Sequence, residues 1–113
     1  MLNKEYRFHS RGGVKYVYNH GKTIRRPELS LIFCENSRGK TRFAVVVSKK
    51  VMKTAVGRNR IRRRIYESIR LNLDKTRKSR DYIFIVYSKT IINQPFLDLQ
   101  KTIRSLLEES MVQ

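Results

Sequence analysis

The stretch RFAVVVSKKVMKTAVGRNRIRRRIYESIR, residues 42–70, changes periodicity half-way along, and that change decides the fold. Its first half, FAVVV, is β-branched and nearly all apolar, which predicts a strand, and a central one in its sheet. In its second half Ile61, Ile65 and Ile69 recur every four residues and Leu73 continues the series, which is one stripe of a helix. The charge on that helix is the puzzle. Arg58, Arg60, Arg62, Arg63 and Arg64 fall within seven consecutive positions near its start. The helix macrodipole is already positive at that end, and arginines three or four apart repel. Only Glu67 is placed to relieve Arg63 or Arg64. Such strain persists in a sequence when something strongly negative lies across the arginines.

At about 100° per residue, Arg60, Arg63 and Arg70 lie roughly opposite the isoleucine stripe, towards solvent. Arg58 and Arg62 fall near its edge, where helix meets sheet, with Asn59 adding a neutral donor and acceptor. Lys49, Lys50 and Lys53 leave the end of the strand and enter the same neighbourhood. A polyanion following that groove would meet ammonium groups first and planar guanidinium forks next.

The totals point the same way. In 113 residues, 26 Lys and Arg oppose 9 Asp and Glu, giving a net charge of +17. A hydrophobic fraction of 40% argues for a folded chain rather than a basic tail. Self-repulsion of this size favours a polyanionic partner, nucleic acid first and an anionic membrane surface second. The membrane reading is the weaker one, because the isoleucine stripe lacks aromatic anchors and the sheet needs it as core. The N-terminus has no apolar targeting segment, and the longest apolar run, residues 43–47, cannot span a bilayer. Cys34 stands alone, which excludes a disulfide framework and implies a reducing, cytoplasmic setting; it reads as a small buried hydrophobe in a strand. His9 and His20 are not spaced with any Cys or acid as metal ligands. The nine acids are scattered, without an Asp-x-Asp pair, which argues against a metal-dependent nuclease acting by itself.

Residues 1–13 read as a loosely held basic arm, and residues 14–113 as a single domain. A short helix over 14–20 ends at Gly21, and residues 22–28 form a basic connection. A two-faced strand over 29–34, a turn, and a strand over 42–48 precede the arginine helix. A charged loop follows, then a strand over 82–87 in which Tyr82, Phe84 and Tyr87 read as packing. The last helix starts at Pro95 and buries Phe96, Leu99, Ile103, Leu106 and Leu107. Tyr16 and Tyr18, two apart on a helix, face different ways, so at most one joins the core and the other can meet RNA. The order α-β-β-α-β-α describes an α/β (α+β) sandwich, a small mixed sheet with helices packed on it.

Taken together, SKKVMKTAVGRNRIRRRIYESIR resembles the signature of the bacterial ribonuclease P protein family. The likeness lies in SKK closing a hydrophobic strand, AV a few residues on, RNR with I-R-R behind it, and DYIFIV as the next strand. It runs back to the short helix ending VYNHG and forward to the final amphipathic helix, covering residues 14–108. The resemblance implies a protein subunit that pairs with a large catalytic RNA and precursor tRNA and promotes endonucleolytic removal of the 5′ leader. The catalytic centre is then expected in the RNA, whose bound Mg²⁺ hydrolyses the phosphodiester, with no metal held tightly by the protein. It further implies that Arg58, Asn59, Arg60, Arg62 and Arg63 contact that RNA, and that Tyr18, Ile32, Val46 and Ser48 line a cleft for the leader. An apolar or aromatic cleft suits a single strand, whose bases pack there without being read. A left-handed crossover is implied too, although general sterics favour the right-handed form. The chain departs from the family pattern at Arg64, where an apolar residue is usual, at Tyr66, where an arginine is, and at Val14, where an aromatic is. The alternative is a general structured-RNA binder of ribosomal type, which fits the charge and the sandwich equally well; the motif spacing and the cleft separate the two. On either reading the chain alone is expected to be a monomer.

Overall fold

The computed structural model describes residues 2–8 and 11–113, with the Arg11 side chain left aside; the reading of His9 lies outside the described residues. In chain order the elements are α1 (Arg11–His20), β1 (Lys22–Arg25), β2 (Leu29–Glu35), β3 (Arg42–Val47), α2 (Ala55–Leu71), β4 (Arg80–Val86) and α3 (Phe96–Met111). Single 3₁₀ turns lie at Lys4–Tyr6, Leu73–Lys75 and Lys89–Ile92. The four strands form one mixed sheet in the order β1-β2-β4-β3. β2 runs antiparallel to both β1 and β4, and β3 runs parallel to β4 across the α2 crossover.

Alternation along the strands gives the sheet two covered faces. Leu29, Leu31 and Phe33 of β2, Phe43, Val45 and Val47 of β3, and Tyr82, Phe84 and Val86 of β4 point to one side. There they meet the α2 stripe Ile61, Ile65 and Ile69 and the α3 face Leu99, Ile103, Leu106 and Leu107. The stripe is fully buried, which removes it as a membrane-inserting surface. On the other side α1 supplies Val17, packed with Phe8, Ile32, Ala44 and Ile83. No helix among the described residues is long and apolar enough to cross a membrane.

Four expectations are corrected. The segment 22–28 contains a fourth strand, β1, whose register sets Thr23 against Ile32 and Ile24 against Leu31. Its one buried residue is Ile24, so a strand with cations at both ends gives almost no periodic signal. The strand at 42–47 is an edge strand, not a central one; its apolar run reflects cover on both faces, by α2 and by α1 with Phe8. Residues 2–8 lie against the domain: Leu2 enters the larger core, Phe8 the smaller, and the Phe8 amide donates to the Phe43 carbonyl at 3.0 Å. Residues 11–13 belong to α1, so the helix starts three residues before the position expected.

Polar groups pin the sheet's ends. Arg42 forks onto Asp81 at 2.9 and 2.8 Å, joining β3 to β4. Arg80, only 2% exposed, donates to the Glu35 carboxylate at 2.7 Å and to the Ser110 and Gln113 carbonyls at 2.7 and 2.9 Å. It thereby binds the C-terminal end of α3 with a cation, where the exposed carbonyls favour one.

Candidate nucleic-acid interface

The site begins in the seven residues between β3 and α2. Ser48 closes the strand and its carbonyl accepts from the amides of Val51 and Met52, so the chain turns at once. Lys49, Lys50 and Lys53 are left exposed on that turn. Thr54 caps α2, its hydroxyl accepting from the Gly57 amide at 3.0 Å. Gly57 is closely packed: a Cβ there would lie 2.6 Å from the Met52 sulfur and 2.8 Å from the Thr54 hydroxyl, so Met52 and the cap would have to shift. No acid occupies the first turn, so no carboxylate there offsets the dipole or the arginines beside it.

The arginines divide by what they touch. Arg58 folds back and donates to the carbonyls of Met52 and Lys53 at 3.0 and 2.9 Å, fixing the lysine-bearing turn against α2. Arg60 is exposed, as expected of the face opposite the isoleucines. Arg62 donates to the Asn59 side-chain oxygen at 2.8 Å, and both residues line a groove of about 600 Å³. Arg63 is exposed too, as expected, and reaches the rim of the same groove. Arg64 leaves the run altogether: it donates to the Gln94 carbonyl and lies 5.9 Å from the Phe96 ring, tying α2 to the start of α3. Glu67 takes Arg70, whose Nε donates to it at 3.0 Å; that bond is the largest of the causes that draw the carboxyl down from 4.5 to about 2.

The groove runs between α2 and the free edge of β3. Asn59, Arg62, Arg63 and Tyr66 form one wall, and Val45, Val46 and Val47 the edge. Phe8, Val14 and Ala44 continue it on to the α1 face, and Arg7 sits beside them. Cations and apolar surface therefore share one channel, and none of its described lining residues is acidic. Tyr66 is buried under the Arg7 guanidinium, 5.7 Å from its ring centre. Burial pushes the Tyr66 hydroxyl above its usual range, opposed by a backbone hydrogen bond at Val45 and by Arg7 and Arg62, so the phenol stays protonated.

Of the four expected cleft positions, the structure brings some together. Val46 is half-buried in the groove and shares a sheet row with Ile85 and Ser30. Tyr18 is exposed on α1 beside Tyr87, and burial and that tyrosine together raise its hydroxyl. Ile32 is buried in the smaller core under α1, with Gly21 packed against it. Ser48 follows β3, and its hydroxyl accepts from the Val51 amide at 3.3 Å. One reading of the aromatics holds and one changes. Tyr16 and Tyr18 both stay outside the core, within the expectation that at most one joins it, because Val17 between them fills that place; Tyr16 stacks on His20. Tyr87 lies just past β4 and is 47% exposed, so it belongs with Tyr18 on the open face rather than in the packing. Its position one residue beyond the apolar run was the available signal. Among the described residues no three His, Cys, Asp or Glu side chains come together to hold a metal ion.

The comparisons with known proteins agree with this geometry. The family model Ribonuclease P matches residues 2–111. A ribonuclease P protein component of Clostridium botulinum is 36% identical over 109 residues, 96% of this chain and 89% of that protein. The chain belongs to the ribonuclease P protein family. A relative in Clostridioides difficile is 39% identical over 83% of this chain and 82% of that protein. In three dimensions the Staphylococcus aureus RNase P protein matches with a TM-score of 0.80 at 24% identity, covering 95% of this chain and 96% of that one. The Thermotoga maritima protein gives 0.81 at 23% identity, covering 91% and 96%; both show the shared fold. As a ribonuclease P protein, the chain serves as a subunit in tRNA 5′-end maturation. The departures from the family pattern now have places: Arg64 is a strut to α3, Tyr66 carries Arg7 on its ring, and Val14 lines the groove.

Proposed function

We propose that this chain grips the RNA subunit of ribonuclease P with the turn at 49–53 and the exposed arginines of α2. The open face between α1 and the ends of β3 and β4 then guides the 5′ leader of precursor tRNA. The observation that carries this reading is the continuity of the groove, with cations on the α2 wall and apolar surface from β3 towards α1. Phosphates favour the guanidinium forks, and bases of a single strand favour apolar and aromatic surface. Tyr18, Tyr87, Val46 and Ser48 are the leader-facing residues on this account. Hydrolysis, and the Mg²⁺ that supports it, is assigned to the RNA. The chain's scattered acids suit that assignment, since Asp81, Glu35 and Glu67 are engaged by Arg42, Arg80 and Arg70. The protein contributes binding and placement, in the cytoplasm with its RNA partners.

Reconstitution tests this. The RNA subunit with the chain should cleave precursor tRNA at a lower Mg²⁺ concentration than the RNA alone, and should bind precursor more tightly than mature tRNA. Equal affinity for the two tRNAs would reduce the chain to a general RNA binder. Cleavage by the protein with a catalytically dead RNA would overturn the assignment of chemistry.

A further inference from the structure

Among the arginines, Arg42, Arg80, Arg26 and Arg70 are matched to carboxylates, and Arg58 and Arg64 to carbonyls. Arg7 is matched to neither. It precedes Phe8, whose amide is anchored on Phe43, and its own backbone bridges the same residue, so the side chain starts from a fixed point at the β3 edge. The guanidinium lies over the Tyr66 ring and reaches the groove that Asn59, Arg62 and Arg63 line. Its Nε is shielded from water yet has no hydrogen-bond partner among the described residues. A shielded donor without an acceptor is unfavourable and rare in folded proteins. The Nε of Arg64 shares that condition, but its guanidinium has the Gln94 carbonyl and faces α3.

We propose that Arg7 is an RNA-phosphate ligand: held over Tyr66, it lines the groove with Arg62 and Arg63 and presents its terminal guanidinium nitrogens to a phosphodiester oxygen. This rests on the RNA-binding reading above and adds a contact from outside the arginine helix. The ring beneath the guanidinium, together with the anchored backbone, restricts where the side chain lies, so less freedom is lost on binding. The phosphate could belong to the RNA subunit or to the leader; the chemistry is the same, and the experiment separates them.

Arg7→Met keeps the apolar stem over Tyr66 and removes the charge; Arg7→Lys keeps the charge and removes the fork. Each is titrated with the RNA subunit across a salt series, and each holoenzyme with precursor and leaderless tRNA, after circular dichroism confirms the fold at the assay temperature. Arg62→Met serves as the reference. Arg7→Met should weaken one of these complexes about tenfold and make its log–log salt slope shallower by about 0.7–0.9, one phosphate's share. Arg7→Lys should retain the slope and lose only a few-fold in affinity. A loss confined to precursor tRNA assigns the phosphate to the leader, and a loss on the RNA subunit assigns it there. If Arg62→Met weakens binding and Arg7→Met leaves both complexes and their slopes unchanged, the inference fails while the groove reading stands. If neither variant changes anything, the groove reading itself fails.

Discussion

Replacing Arg64 by methionine separates the two jobs that one run of arginines performs. The side chain donates to the Gln94 carbonyl and faces the Phe96 ring at 5.9 Å. A hydrogen bond from a charged donor contributes about 1.5–3 kcal/mol. The cation–ring contact adds about 0.5–1 kcal/mol. The unpartnered Nε takes back about 1 kcal/mol, leaving a net of roughly 2 kcal/mol. In a domain near this size each kcal/mol moves the melting temperature by about 4–8 °C, so Arg64→Met should melt roughly 8–15 °C below the parent. Its affinity for the RNA subunit, measured where both proteins are folded, should stay within about twofold of the parent. Arg63→Met should show the reverse pattern, an unchanged melt and weaker RNA binding. An Arg64→Met protein that melts like the parent but loses RNA affinity would refute this division of the run.

Removal of Arg80 strips a buried cation from one carboxylate and two carbonyls at the end of α3. Arg80→Met should lose about 3 kcal/mol in denaturant unfolding, and hydrogen exchange should rise in the last turn of α3. Ile65→Ala opens a cavity between α2 and the sheet and should lower stability by about 2–5 kcal/mol, with RNA affinity of the folded fraction unchanged. The Glu67 carboxyl, drawn down to about 2 with its bond from Arg70 as the largest cause, has a folded value below its unfolded one. Its contribution is therefore complete above the unfolded value of 4.5 and is lost as the pH falls towards 2. The pair is exposed and its share small; a melting series from pH 6 to 2 should fall less steeply for Glu67→Gln than for the parent.

The parts of the fold with a strong period were legible in the sequence: the isoleucine stripe of α2, the apolar face of α3, and the strands at β2, β3 and β4. What escaped was set by neighbours rather than by local pattern. β1 has one buried residue and exists because β2 offers it an edge. An edge strand covered on both faces has the composition of a central one, so β3 could not be placed by composition. Phe8 and Leu2 sit in a basic segment whose anchoring depends on long-range contacts. The cations of the site were visible as a run, yet their division was not. Helical angles put Arg63 in solvent, where it is, but could not show that the edge of β3 leaves an open channel its long side chain also reaches. Arg80 looked like one more loop cation, and only the return of α3 makes it a buried ligand of carbonyls. Arg7 carried no signal at all, since its meaning comes from Tyr66, fifty-nine positions away along the chain.

The salt dependence of binding to the ribonuclease P RNA tests the central claim most directly. With about five phosphates neutralised, the logarithm of affinity should fall against the logarithm of salt with a slope near −4, and Arg60, Arg62 and Arg63 changed together to methionine should bring it close to −2. A slope near zero for the parent, or a triple variant that binds the RNA and supports precursor tRNA cleavage as the parent does in moderate salt, would contradict the account.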